Sequence, residues 1–206
     1  IEMPKVNNLM TEDLTPEEYN RLTNLLNEDK DIQASNLLRL ALFTGMRRGE
    51  LFKLKWKDIN LNRKIVSIKD PKSGLDEKIP LNEMALSVLD KHPKTESEFV
   101  FPGLGGNQRK TTPRPLRRVI KKAGLNNFRP FHGLRHAYAS NLASSGKVDL
   151  YKLQKLLTHK SPLMTQRYAH LSNDALMEAS NVISDLTKSH QNITELDELK
   201  TGKGKS

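Results

Sequence analysis

The 206-residue chain contains no cysteine, a single tryptophan and only 5% aromatic residues. Without thiols there is no disulfide, no thiolate nucleophile, no Cys-ligated zinc and no iron–sulfur cluster. No apolar run approaches the roughly 20 residues that a membrane-spanning helix requires, and the chain opens on Ile1-Glu2-Met3-Pro4 without the apolar stretch of a secretory signal. A P-loop is also missing, as is any carboxylate cluster of the two-metal kind. Acidic residues are in the minority, 24 Asp and Glu against 34 Lys and Arg, for a formal net charge of +10. These absences leave a basic protein with no membrane association, read as cytoplasmic. Its surplus charge suits a polyanion, most simply nucleic acid, because neutralising phosphates releases counterions. Hydrophobic residues make up 36% and cluster, as in Leu37-Leu38 and Leu40-Ala41-Leu42-Phe43, so a core can form.

The pattern along the chain predicts mainly α structure with a small antiparallel β-sheet or hairpin. Residues 1–13 are polar and irregular and read as a linker; 14–188 read as one domain; 189–206 lose apolar periodicity and read as a mobile tail. Thr15-Pro16-Glu17-Glu18 has the form of a capping box with proline at N1. Ala34 to Thr44 predicts a buried helix ended by Gly45, and Glu50 to Asp58 a second, short one. Ile65 to Ile68 and Lys78 to Leu81 bracket Pro71-Lys72-Ser73-Gly74, a hairpin pattern. Glu98 to Phe101 reads as a short strand or an extended piece stopped by Pro102-Gly103. Further helices are expected from Asn82 to Leu89 and over about 114–124, 132–145, 149–157, 162–168 and 172–187. The last is amphipathic, suited equally to its own domain or to a neighbouring protomer.

Five places carry residues suited to phosphate chemistry, and each has an ordinary structural explanation when taken singly. Arg47 follows a helix end and a glycine, where its planar fork could meet a phosphate with Glu50 bracing it; a surface ion pair explains it as well. Lys72 lies on the predicted hairpin loop, where a solvated turn lysine is the commoner case. His132 and Arg135 are neighbours at i, i+3 on one helix face, open to an anionic ligand or to a cap and salt bridge. His159 stands at a helix end and Tyr168 closes the next helix; each alone suits packing or a structural hydrogen bond. His136 and His170 match no role. The histidines have no Asp or Glu at ligand-like spacing, so no metal site is expected.

In their order and separations, these residues resemble the catalytic domain of the tyrosine recombinases, the phage-integrase and Xer family. The resemblance lies in Thr44-Gly45-x-Arg47-x-x-Glu50, a hairpin Lys72, His132-x-x-Arg135, His159, and Tyr168 nine residues later. It extends over about Leu14 to Ser172 and includes Leu51-x-x-Leu54-x-Trp56-x-x-Ile59 and Leu134-Arg135-His136-x-x-Ala139-Ser140. It implies the recombinase catalytic-domain fold and a site-specific recombinase or integrase that breaks and rejoins DNA through a 3′-phosphotyrosyl link, with neither ATP, cofactor nor metal. It further implies that Arg47 and Arg135 clamp the scissile phosphate, Lys72 protonates the leaving 5′-hydroxyl, and His132 assists proton transfer or phosphate holding. His159 would donate a further hydrogen bond, Tyr168 would be the nucleophile, and Glu50 would support the arginines or His132. The expected partners are double-stranded DNA carrying a recombination site and, on DNA, a homotetramer at the nucleoid. The basic stretch Arg109, Lys110, Arg114, Arg117, Arg118, Lys121 and Lys122 would hold DNA.

Two departures stand out. Thr158 occupies a position where the family commonly has glycine, and the core-binding domain that the family carries ahead of this one is absent from the sequence. Arg48 beside Arg47 is ambiguous until counted from Gly45 and Glu50, which selects Arg47. A DNA-binding module with a decayed site, a type IB topoisomerase and a non-catalytic basic helical protein are the rival readings. The full residue set argues against the first, and the His-x-x-Arg pattern with the His159–Tyr168 spacing against the second.

Overall fold

Thr15 starts the first helix by the exchange its sequence predicts. Its Oγ1 accepts from the Glu18 N–H at 3.2 Å, and the Glu18 carboxylate accepts from the Thr15 N–H at 2.9 Å. This cap begins α1 (Pro16–Glu28), which buries Leu22 and Leu26. The computed structural model describes residues 13–69 and 76–172. The loop carrying Lys72, the expected helix over 172–187 beyond its first residue, the tail and nearly all of the linker lie outside the described residues.

Helix α2 (Ile32–Thr44) is apolar nearly all round and is accordingly buried from Ala34 to Thr44 except at Arg39. Around it pack α1, α3 (Arg48–Lys53), α4 (Glu83–Asp90), α5 (Arg114–Lys122) and α6 (Pro130–Ser144). Gly133 lets Phe128 close against α6: a Cβ at that position would lie 2.2 Å from the ring.

The hairpin is present and gains a third strand. β1 (Ile59–Asn60), β2 (Ile65–Ile68) and β3 (Glu77–Pro80) form an antiparallel sheet in that order, with Ile65 opposite Pro80 and Ile68 opposite Glu77. Val66, Ile68 and Ile79 are its buried side chains, the period of two expected of a half-covered sheet. Pro80 is tolerated because β3 is an edge strand.

One element differs from the sequence expectation. The helix expected over Glu50 to Asp58 stops at Lys53, Leu54 is extended, and Trp56–Asp58 forms a separate 3-10 turn. The break frees backbone groups for residues 98–100: the Trp56 N–H donates to Glu98 O at 3.0 Å and the Val100 N–H to Leu54 O at 2.9 Å. Glu98 to Phe101, expected as a short strand or an extended piece, joins no named strand and makes a single bridge, Lys55 to Phe99.

A second, smaller core lies beyond α6. Ala139 and Ala143 of α6 meet Leu153 of α7 (Leu150–Leu156), Leu157, and Tyr168, which follows the short α8 (Leu163–Gln166). Four of these five side chains are aliphatic; the fifth carries a phenol. Among the described residues, no helix is long and apolar enough to cross a membrane.

Candidate active site

Arg47 owes its position to how α2 ends. Gly45 takes φ 64°, a left-handed conformation that its missing Cβ permits, and its N–H closes on Ala41 O at 2.9 Å. A Cβ on Gly45 would lie 2.5 Å from Cδ1 of Tyr138 on α6. Glycine is thus required twice, by φ and by contact. Gly45→Ala is expected to cost roughly 2–5 kcal/mol, combining the left-handed penalty with overpacking. Urea melts check it, and a loss below about 1 kcal/mol would mean the Tyr138 ring moves aside freely.

After this turn, Arg47 becomes the N-cap of α3, with Glu50 at N3. One Glu50 oxygen accepts from the Arg47 main-chain N–H at 2.7 Å, and the other from Arg47 Nη1 at 2.9 Å. Nη1 also donates to Thr158 Oγ1 at 2.6 Å, and Nη2 to the Thr158 carbonyl at 3.1 Å. Arg135, two-fifths of the way along α6, aims at the same corner. It donates to Gly45 O at 2.6 Å and to Leu157 O. Two guanidinium groups therefore converge where the end of α2 meets the end of α7. Burial, then the proximity of Arg47, pulls Arg135 down to about 10, with Glu50 acting in the opposite direction. It remains charged at neutral pH, and two cations pressed together in a half-buried corner suit an anion.

Thr158 holds this corner in a conformation unusual for its type. It is β-branched and has φ 50°, a strained combination of the kind that clusters at functional sites. Its hydroxyl compensates by accepting from Arg47 and donating to Glu50 Oε1 at 3.3 Å. Glycine would relieve the strain and lose these bonds; valine would keep the strain and lose them too. Thr158→Gly is expected to stay within about 1 kcal/mol of the parent, and Thr158→Val to lose roughly 1–3 kcal/mol. Equal stabilities in a urea comparison would show that the hydroxyl contributes nothing.

His159, next in sequence, lies 2.8 Å from Thr165 Oγ1 through Nδ1. Burial first, then Arg135 and Arg47, lower it to about 4. The ring is therefore neutral near pH 7. With the Thr165 hydroxyl donating to Nδ1, its proton sits on Nε2 and is available to an acceptor. His132 is exposed on the first turn of α6. With Arg47, Arg48, Thr112 and Arg135, it lines a cavity of about 500 Å³. A second cavity, of about 540 Å³, reaches Arg47 from the other side and is lined by Lys69 and Glu77 at the base of the hairpin whose loop carries Lys72. Arg48 sits over the Phe52 ring at 5.6 Å.

Tyr168 is 5% exposed. Its hydroxyl lies 2.7 Å from His136 Nδ1, and His136 Nε2 lies 2.8 Å from His132 Nε2. Burial raises the phenol above its ordinary value, opposed by Arg167 and Arg135. The structure thus gathers Arg47, Glu50, Arg135 and His159 at one corner, and links Tyr168 to His132 through His136. Sequence reasoning assigned no role to His136 and treated Thr158 only as a departure. The signal for His136 was its i, i+4 spacing from His132, which puts both on one helix face.

The basic stretch divides by environment. Arg109 turns inward, donating to Pro102 O and Gln33 Oε1, each at 2.5 Å, and to Phe101 O at 3.3 Å. On α5, Leu116, Val119 and Ile120 are buried, while Arg114, Arg117, Arg118, Lys121 and Lys122 are exposed along the opposite face. Arg118 pairs with Asp29 at 3.1 Å. Lys110 is exposed on the loop ahead of the helix.

Known proteins resemble this chain in sequence and in fold. The profile of the phage integrase family matches residues 12–174. The chain is 30% identical to the tyrosine recombinase XerA of Pyrococcus furiosus over 194 residues, 89% of this chain and 66% of that protein. It is also 30% identical to the integrase of Salmonella phage P22 over 201 residues, 90% of this chain and 50% of that one. The chain thus spans about half to two thirds of the length of these curated relatives. The fold is shared with the XerH site-specific recombinase, solved bound to a palindromic difH substrate in a post-cleavage complex. The TM-score is 0.71 at 23% identity, covering 88% of this chain and 56% of that one.

Proposed function

The chain belongs to the phage integrase family, and on that premise we propose that it cleaves and rejoins DNA strands at a specific site, with Tyr168 as nucleophile. The observation that carries this reading is the convergence of Arg47 and Arg135 on one corner, each anchored by protein carbonyls or Glu50 with its remaining N–H groups available to a phosphate. Arginine forks match phosphate oxygens in pairs and stay charged at working pH. They would neutralise charge building on the non-bridging oxygens as the phenolic oxygen attacks phosphorus. The 3′-oxygen then remains on phosphorus in a phosphotyrosyl ester, and the 5′-oxygen leaves with a proton from Lys72. His159, neutral and holding a proton on Nε2, would donate to a non-bridging oxygen. Glu50 would keep Arg47 in place. The ester conserves the energy of the broken bond, so rejoining is the same step reversed.

Residues 14–188 form the catalytic unit in this proposal, supported by the family match to 12–174. Double-stranded DNA is the substrate, supported by the DNA-bound relative. Four copies would assemble on paired sites, in the cytoplasm at the nucleoid. Lys110 and the exposed face of α5 would follow the DNA backbone, while Arg109, held by carbonyls, would shape the loop and Arg118 would share its charge with Asp29. Arg117→Ala is expected to weaken binding and to reduce the slope of log affinity against log salt by about 0.9. An unchanged slope in a salt titration would remove Arg117 from the interface.

The deciding experiment uses a labelled pool of nicked suicide duplexes with randomised core sequence. Strand cleavage releases the short end and traps the protein on the DNA. Covalent complexes, proteolysed and mapped by mass spectrometry, are expected to carry the nucleotide on Tyr168. Absence of any covalent complex across the pool, with binding intact, would overturn the proposal.

A further inference from the structure

His136 has no part in the scheme so far, yet it is the residue that touches the reacting atom. Its Nδ1 lies 2.7 Å from the Tyr168 hydroxyl, within reach for proton transfer. Tyr168 and His136 are 5% and 7% exposed, so a proton leaving the phenol passes to a protein group before it meets water. Of the charged groups that act on the phenol, Arg135 and Arg167 have no acceptor to offer, and the Asp13 carboxylate accepts from the Ser140 hydroxyl at 2.7 Å. Burial holds the phenol in its neutral form, which makes an acceptor necessary rather than convenient.

The opposite side of the same ring supplies the exit. His136 Nε2 is 2.8 Å from His132 Nε2, and the two rings meet edge to face with centroids 4.3 Å apart. His132 is exposed and borders the cavity that Arg47 and Arg135 also line. The tautomers are mutually consistent. A phenol donating to Nδ1 of His136 places that ring's proton on Nε2, which donates to Nε2 of His132, whose own proton then lies on Nδ1. All three groups are set by packed structure: the histidines by their i, i+4 spacing on α6, and Tyr168 by the second core.

We propose that His136 is a catalytic base, taking the phenolic proton of Tyr168 on Nδ1 and passing its Nε2 proton to His132. This rests on the strand-transfer reading above and names the proton path of its first half. As the O–P bond forms from the phenolic electron pair, the O–H bond breaks and its proton moves to His136. The Nε2–H of His136 breaks in turn, and its proton ends on His132. Positive charge thereby appears on the exposed ring, not on the buried one beside Arg135. The leaving 5′-oxygen receives its proton independently, from the other side of the phosphate.

The test isolates the nucleophile's half of the reaction. A duplex recovered from the pool is remade with a 5′-bridging phosphorothiolate, whose thiolate leaves without needing an acid. In single-turnover assays, His136→Asn is expected to cleave this substrate on the order of 100-fold more slowly than the parent, the usual scale for losing a positioned base. Asn keeps a hydrogen-bonding atom near the phenol but accepts no proton. Cleavage by His136→Asn within about threefold of the parent, or faster, would overturn the relay and leave His136 as a holder of the phenol. A measurement on the unmodified chain stands if that variant does not fold. With the phosphorothiolate, the rate should fall in heavy water and vary non-linearly with deuterium fraction, as two protons move together; the absence of an isotope effect would also overturn the relay. If the parent chain forms no phosphotyrosyl complex, it is the strand-transfer reading that fails.

Discussion

Tyr168→Phe is expected to abolish the covalent protein–DNA complex while leaving the fold intact. The substitution removes one oxygen from a ring that is otherwise packed among Ala139, Ala143, Leu153 and Leu157. Packing is kept, and the cost is the bond to His136 Nδ1, which leaves a buried acceptor short of a partner. That amounts to about 1 kcal/mol, a fall in Tm of about 2–4 °C for a chain of this size. The chemical consequence is of another order, because no other group sits at the phenol's position to attack phosphorus. The informative control is Tyr138. It is partly buried against the same core, with its phenol raised by burial and opposed by Arg135, but its ring serves to pack against Gly45. Tyr138→Phe should still form the complex. A complex that survived in Tyr168→Phe and vanished in Tyr138→Phe would transfer the nucleophile's role to the other tyrosine.

Arg135→Lys is expected to lower the rate of strand cleavage about 1,000-fold, equivalent to about 4 kcal/mol of transition-state stabilisation. Charge is conserved, so the loss measures geometry. The guanidinium spans Gly45 O and Leu157 O with its two terminal nitrogens. An ammonium is a single point with three donors and cannot bridge both carbonyls while also presenting a fork to phosphate. At least one carbonyl loses its partner, so a modest loss of stability accompanies the catalytic defect. Salt-dependent DNA binding should be nearly unchanged, because the charge count is the same. Cleavage within tenfold of the parent, by single-turnover kinetics on the suicide duplex, would show that Arg135 acts as a structural strut between α2 and α7 rather than on the phosphate.

Much of the fold could be read in the chain because local chemistry agreed with the tertiary result. Thr15, Asp31, Asn82 and Asp149 each cap the helix that follows by accepting from a backbone N–H. The all-round apolar character of α2 announced a buried helix, and the two runs that bracket Pro71-Lys72-Ser73-Gly74 announced a hairpin. The misread helix was decided by a distant partner. Residues 54–58 leave the helix because residues 98–100 offer backbone bonds there, and no local signal announces a pairing across more than forty positions.

The site divides in the same way. The order and spacing of Arg47, His132, Arg135, His159 and Tyr168 were legible, because phosphate chemistry restricts which side chains serve and the motif text preserves their sequence separations. The uses of the intervening residues were not. Thr158 reads as a mere departure from glycine until its hydroxyl is seen between Arg47 and Glu50. Arg109 counts as one more cation until carbonyls enclose it, and His136 has no meaning until Tyr168 folds back onto it from 32 residues away. By itself, then, the sequence determined the residue types that phosphate chemistry requires, the absence of thiol chemistry and the helices that local caps and periodicity specify. Only the tertiary structure decided what holds the two arginines at the corner, which cations are held within the fold and where the phenol can send its proton. Those outcomes depend on distances between elements far apart in the chain, set by how the two cores pack rather than by any local preference.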